Sequence, residues 1–264
     1  MILGIFGTGM MGSSIGLRSR RNGDYVIGYD HDAAALQSAL ACGAIDAAVS
    51  RDDLYTRSAL VVIAAHLDGT LAEVRRLCNV CLPDELLICD IASTKLQVWQ
   101  AAREIPQFIA THPMAGNERN GPNGASATLF EERTWAYLPS DRDDLVARLR
   151  TFITSQGGIP FALDAQEHDR LVATTSHLPQ ICASVFSRAF SRLAPHQSAA
   201  ALCGPTAREF LRLSASRYAM WGPILSSNRS EIEPLLRDFS RELEHIADAL
   251  QSGDDATIEA LFST

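Results

Sequence analysis

No stretch of this 264-residue chain runs apolar for the ~18 to 20 residues that a membrane-spanning helix needs, so no membrane partner is expected. Positive charge is also scarce. The 23 Lys and Arg against 31 Asp and Glu leave a formal net charge of -8, and a nucleic-acid partner held by a basic surface is not expected. Small anionic substrates are not excluded, because a few local arginines suffice to hold one. No basic stretch precedes the apolar opening Met1-Ile2-Leu3, so no targeting signal is expected, and the cytoplasm is the expected location. The six cysteines form no paired set at zinc-site spacing. Cys78 and Cys81 make a lone C-x-x-C inside a segment that reads as ordinary helix, which points to reduced thiols and no metal. Internal repeats and low-complexity tracts are absent.

What is present suits a globular chain: 47% hydrophobic residues and 20% charged ones, enough for one large or two modest cores. Residues 2–6, 25–29, 60–64, 86–89 and 108–110 are short runs rich in Ile, Val and Leu. Helical patterns at 10–21, 32–42, 67–80 and 94–103 separate them. Continuous apolar strands alternating with helices predict a parallel sheet covered on both faces, an α/β doubly wound (Rossmann) domain. Residues 112–134, rich in Gly, Asn and Pro, break this rhythm and read as a long loop of the kind that often carries function. A strand at 135–138, a helix at 143–156 and a last strand at 159–162 follow.

From Asp164 the strand pattern stops. Segments 164–193, 198–202, 206–213, 219–227 and 231–251 have helical composition and period, with a kink expected at Pro179. These patterns predict an α/β Rossmann domain over 1–163 and an all-α domain over 164–264.

Gly7-Thr8-Gly9-Met10-Met11-Gly12 has the G-x-G-x-x-G form and lies where that form has meaning, after a strand and at the opening of a helix. Gly7 permits the tight turn, Gly9 lets the backbone approach a pyrophosphate, and Gly12 allows helix to pack on strand. The unpaired N–H groups of the helix start would hold the phosphates. Asp30 ends the second strand 18 residues after Gly12, near the ~20-residue spacing of the carboxylate that binds the adenosine ribose. A carboxylate there repels a 2′-phosphate and favours NAD over NADP. The expected cofactor set is therefore Gly7, Thr8, Gly9, Met10, Met11, Gly12, Asp30 and Ala64, the last at the end of the 60–64 strand.

A cofactor domain does not say what is oxidised. Ser93 and His112 each follow a strand of the parallel sheet, and carboxyl ends of such strands face the cofactor crevice. A histidine there can take a hydroxyl proton as hydride leaves the same carbon; Ser93 could bond that imidazole or the hydroxyl. His112 also reads as a capped loop histidine before a proline, and position alone leaves both readings open. His177, mid-helix among apolar residues, reads by itself as a satisfied core histidine. Arg208 and Arg212, four apart, share a helix face and could clamp a carboxylate. With Glu209 beside them they equally read as a solvated face.

Together these segments resemble the prephenate and arogenate dehydrogenases of tyrosine biosynthesis over nearly the whole chain. Asp90-Ile91-Ala92-Ser93-Thr94-Lys95 is similar to that family's D-x-x-S-x-K, and His112-Pro113-Met114-Ala115-Gly116 to its H-P-[IM]-A-G, with Glu118 where an acid is common. Ser176-His177-Leu178-Pro179 is similar to its S-H-L-P, and Arg212, nine residues before Trp221, to its T-R…W segment. The resemblance implies that His112 polarises the ring hydroxyl, Ser93 orients it, and Arg212 binds a substrate carboxylate. His177, Gln180, Glu118 and Arg208 complete the implied substrate set. It also implies a homodimer through the helical domain, NAD as cofactor, no metal, and prephenate or arogenate as the small-molecule substrate.

Several positions depart from the family. Gln180 stands where a second histidine often follows S-H-L-P. Leu211 replaces the threonine before Arg212, Ser216-Arg217-Tyr218 replaces S-D-P, and His66 stands where a proline is common. Gln180 leaves the choice between keto and amino substrate open. Alternatives are a related dehydrogenase of secondary metabolism acting on an amino-substituted prephenate, and a non-catalytic NAD-binding sensor. A β-hydroxyacid dehydrogenase is disfavoured, because segment 164–193 lacks the lysine that such enzymes use. Neither a mutase domain before residue 1 nor a regulatory domain after 264 is expected.

Overall fold

The structure, a computed structural model, describes residues 1–116, 121–193 and 201–263. Its first part alternates β1 (Ile2–Phe6), α1 (Met10–Arg21), β2 (Tyr25–Tyr29), α2 (Ala33–Ala41), β3 (Ala47–Ala48), α3 (Arg51–Arg57), β4 (Leu60–Ile63), α4 (Leu67–Leu77), β5 (Leu87–Asp90), α5 (Leu96–Ala102) and β6 (Phe108–Ile109). The six strands form one sheet in the order β3-β2-β1-β4-β5-β6, and every pairing in it is parallel. β1 pairs with β2 on one side and β4 on the other, so the winding reverses there and opens a crevice at the strands' carboxyl ends.

The unbroken apolar character of the strands follows from burial on both faces. Leu60 and Val62 join Ile15, Leu145 and Phe152 in one core cluster, while Val61 and Ile63 join Leu54, Leu71, Val74 and Val98 in the other. β3 and α3 were not foreseen from sequence. β3 is only two alanines. α3 is mostly polar, held by buried Leu54 and Tyr55 and capped by Ser50, which accepts the Asp53 N–H.

A second, three-stranded sheet follows: β7 (Thr111–Pro113), β8 (Thr134–Tyr137) and β9 (Ile159–Ala162), with α6 (Asp143–Ser155) between the last two. β7 and β8 are antiparallel, β8 and β9 parallel. The expected loop from residue 112 is corrected here, because His112 lies in a strand, opposite Ala136. Trp135 is the reason. Its indole is fully buried against Phe130 and Phe152, with ring centroids 4.9 and 5.9 Å away, and its Nε1–H donates to Thr111 Oγ1 at 2.9 Å. Burying that side chain fixes β8, and β8 holds β7 by backbone pairing.

The chain divides into two compact units, Met1–Asp169 and Arg170–Thr264. The border falls inside α7 (Ala165–Val172), which runs through a π-helical turn, Ala173–His177, into α8 (Leu178–Leu193). That turn sits where the kink at Pro179 was expected. A proline has no N–H to give and its ring crowds the carbonyl four residues back, so the backbone widens ahead of it.

The second unit continues with α9 (Pro205–Ser214), α10 (Tyr218–Ser227), α11 (Arg229–Ser252) and α12 (Asp255–Leu261). Phe186 packs against Phe190 and Phe210, joining α8 to α9. Gly253 closes α11 in the left-handed conformation at φ 72°. The helix expected at 198–202 lies mostly outside the described residues. Among the described residues no helix is long and apolar enough to cross a membrane.

Candidate functional site

The glycine turn is built by close approach. Gly7 has φ +93°, and a Cβ there would lie 2.6 Å from the Ala64 carbonyl oxygen at the end of β4. A Cβ on Gly12 would run into the Gly7 carbonyl, so α1 meets β1 only as glycine allows. Gly9 differs: a Cβ on it would point into open space, on the side where a ligand can approach the backbone. Gly9 is also the N-cap of α1 without a side chain to satisfy the first N–H groups, and the first turn holds no acid. The unpaired donors and the positive end of the helix dipole therefore favour an anion such as a pyrophosphate.

Asp30 ties this turn to β2. Its Oδ2 accepts the Thr8 backbone N–H at 2.6 Å and the Thr8 hydroxyl at 3.1 Å, and its Oδ1 accepts the Asp32 N–H at 2.9 Å. His31 Nδ1 also lies 3.3 Å from Oδ1, on a ring that is 94% exposed, so a ribose hydroxyl can take its place on that oxygen. Turn, helix start and carboxylate fit a dinucleotide.

His112 is held from behind by a buried polar cluster. Asp90, at the end of β5, accepts the Thr111 N–H through Oδ1 and the Ala92 N–H through Oδ2, each at 2.9 Å. The Thr111 hydroxyl donates to the Asp90 carbonyl. Lys95, 0% exposed, donates to Asp90 Oδ2 and to the Thr111 carbonyl at 2.6 Å. It is the only lysine in the chain; every other basic side chain apart from histidine is arginine. Burial holds its ammonium below the ordinary lysine value, against the attraction of Asp90. The D-x-x-S-x-K segment thus brings Asp90 and Lys95 together to clamp β7 to the end of β5, and half-buried Ser93 lies between them in sequence.

The imidazole of His112 meets a residue that the sequence reading did not single out. His112 Nδ1 lies 2.9 Å from His168 Nε2, and His168 Nδ1 lies 2.8 Å from Asp169 Oδ1. Asp169 also accepts the backbone N–H groups of Lys95 at 2.7 Å and Leu96 at 3.0 Å, capping α5 from a distant helix. A signal for this pair existed in the sequence. Ala165, His168, Asp169 and Val172 have the i, i+3, i+4, i+7 spacing of one helix face, and all four are buried. Two polar residues on a core-facing stripe require partners.

In the helical unit, His177 is buried, with Nδ1 3.2 Å from Asn228 Nδ2 and its ring edge-on to Trp221. Gln180 is buried too, and its side-chain amide donates to the Leu213 carbonyl at 2.9 Å, tying α8 to the end of α9. Arg208 is exposed and donates to the Cys203 carbonyl. Arg212, also exposed, pairs with Glu209 one turn earlier. Glu118 lies outside the described residues.

Strand order, glycine turn and strand-end carboxylate define a dinucleotide-binding Rossmann protein with a helical second unit. Residues 15–159 match the family model described as prephenate dehydrogenase, nucleotide-binding domain, and residues 164–264 match the one described as prephenate dehydrogenase, dimerization domain. The chain belongs to the prephenate dehydrogenase family. Prephenate dehydrogenase of Bacillus subtilis (strain 168) is 29% identical to it over 273 residues, covering 98% of this chain and 72% of that protein. Among solved structures, Synechocystis arogenate dehydrogenase matches with a TM-score of 0.83 at 22% identity, over 100% of this chain and 96% of the other. A. aeolicus prephenate dehydrogenase, in complex with hydroxyphenyl propionate and NAD+, matches with a TM-score of 0.87 at 20% identity, over 100% and 95%. At such identities the two structures bear on the fold.

Proposed function

We propose that this chain is a cytoplasmic NAD-dependent dehydrogenase that oxidatively decarboxylates prephenate, arogenate or both, in tyrosine biosynthesis. The observation that carries the reading is a chain that matches both family domains and also holds the His112 imidazole, half-buried, at the exit of the parallel sheet. The N–H groups of Gly9, Met10 and Met11 hold the cofactor's pyrophosphate across the bare glycines, with Thr8 and Ala64 lining the turn. Asp30 takes a ribose hydroxyl and disfavours a 2′-phosphate. Bound NAD+ supplies the hydride acceptor for a 4-hydroxycyclohexadiene whose ring turns aromatic as its carboxylate leaves as CO2.

His112 accepts the hydroxyl proton, and Ser93 orients that hydroxyl. Arg212 is assigned to a substrate carboxylate. Its pairing with Glu209 is a solvent-exposed ion pair, screened by water, so a substrate carboxylate can compete for the guanidinium. His177, Arg208 and Glu118 are the further substrate-set residues. Gln180, committed to Leu213 through its amide nitrogen, leaves both the keto and the amino substrate admissible.

The helical unit is assigned to a homodimer. Leu236, Phe239, Leu243 and Leu250 are exposed along α11 at spacings of three, four and seven, an apolar seam that a second copy would cover.

The test is NADH formation, followed by absorbance, with prephenate and arogenate side by side, each with NAD+ and NADP+. Turnover of either with NAD+ is the expected result. A protein that binds NAD and turns over neither would move the reading to the secondary-metabolism or sensor alternative.

A further inference from the structure

Behind His112 the hydrogen bonds continue inward in a line, from imidazole to imidazole to carboxylate. We propose that His168 and Asp169 are positioning residues that set the tautomer of His112, placing its proton on Nδ1 and leaving Nε2 as the proton-accepting nitrogen. The proposal rests on His112 as the proton acceptor of the reaction, but its geometry stands apart from any substrate.

Donors and acceptors decide the tautomer in sequence. Asp169 is surrounded by donors: the N–H groups of Lys95 and Leu96, and His168 Nδ1 at 2.8 Å. Both its oxygens accept from backbone N–H groups, which can only donate, and Oδ1 faces His168 as an acceptor. His168 Nδ1 therefore carries its proton, and the Nδ1–H tautomer presents a lone pair at Nε2. Across 2.9 Å, His112 Nδ1 must then donate, since two lone pairs facing each other repel. The ring centroids are 5.1 Å apart with the planes at 64°, a separation that suits two ring edges joined by one N–H···N bond and not a stack. His168 and Asp169 are 1% and 2% exposed, so little water competes for these bonds. When Nε2 takes a proton, the imidazolium that forms is already bonded to an acceptor backed by a carboxylate. That arrangement stabilises it without moving the proton onto Asp169.

A purely structural role is the rival explanation, because Asp169 caps α5 whatever His112 does. Imidazole 15N NMR of the full-length protein without substrate separates the two. The expected wild-type spectrum shows His112 with a protonated Nδ1 and an unprotonated Nε2. In His168→Phe, which removes the acceptor and leaves the Asp169 cap on α5 in place, we expect His112 to lose its bias toward the Nδ1–H form. There kcat should fall by about 10² to 10⁴-fold, with KM for NAD little changed.

A wild-type His112 protonated on Nε2 would overturn the proposal, and that measurement needs no variant to fold. So would a His168→Phe protein with an unchanged tautomer and kcat. If the tautomer is as expected but neither prephenate nor arogenate is turned over, the dehydrogenase reading fails while the positioning proposal survives.

Discussion

In the Rossmann unit Trp135, Phe130 and Phe152 are at most 2% exposed, whereas in the helical unit Leu236, Phe239, Leu243, Leu250 and Phe262 are 36 to 81% exposed. Both core clusters among the described residues lie within the first unit. Few side chains of the second are fully buried, and α9 and α12 contribute none. The difference is one of architecture. A sheet covered on both faces supplies inward positions from every strand, so a single chain completes the core. Helices around a short bundle each have one apolar stripe, and a stripe with no neighbour waits for another copy. The first unit therefore completes its core within one chain, while the second leaves an apolar stripe on α11 that a second copy would bury.

The largest effect should come from the first unit's chemistry. His112→Ala is expected to lower kcat by about 10² to 10⁴-fold with NAD affinity unchanged. An unaltered kcat, read by steady-state NADH formation, would remove His112 from the mechanism. Lys95→Met strands Asp90 as an unpaired buried charge, and urea denaturation should report a loss of about 3 to 5 kcal/mol. A loss under 1 kcal/mol would mean that the clamp on β7 is held by the other hydrogen bonds.

Leu243→Glu should convert the dimer to monomer in sedimentation while leaving the Rossmann unit's NAD binding intact. A variant that stayed dimeric would place the seam elsewhere. The two glycines should part company. Gly12→Ala is expected to lower Tm, because its Cβ meets backbone. Gly9→Ala should leave Tm alone and weaken NAD binding, because its Cβ takes the ligand's space.

The smallest effect is the pH dependence of the first unit. Burial alone would raise the Glu73 carboxyl, but hydrogen bonds from Arg51, Arg76 and Tyr55 outweigh it and hold the group below the ordinary glutamate range. The folded state therefore binds this proton less readily than the unfolded one. The stabilisation is present above the ordinary value and is lost as pH falls through the lowered one. Denaturation midpoints should drop with acidification below about pH 5, and less so in Glu73→Gln. Equal acid sensitivity in both proteins would assign the loss to other carboxylates.

Legibility in the sequence tracked how local each feature is. The glycine turn, α1, β2 and Asp30 were readable because strand, turn and helix start are contiguous and the spacing to the carboxylate is set by one β-α-β unit. β3 and α3 were not, since two alanines carry no period and a seven-residue polar helix resembles a loop. Residues 112 and 113 looked like loop because β7 is a strand only through β8, whose partner residues lie more than twenty positions away. The resemblance drew attention to His112 but not to His168, which sits 56 residues further on.

By itself, then, the sequence determined the alternation of strand and helix, the place of the dinucleotide turn and the helical character of the second unit. Each of these follows from periodicity or from short-range steric need. Only the tertiary structure decided what surrounds the His112 ring. Asp90 and Lys95 clamp β7, Trp135 fixes β8 against it, and α7 turns His168 and Asp169 inward. Those partners come from four separate elements, and a hydrogen bond between distant segments is specified by packing, which leaves no period in the chain.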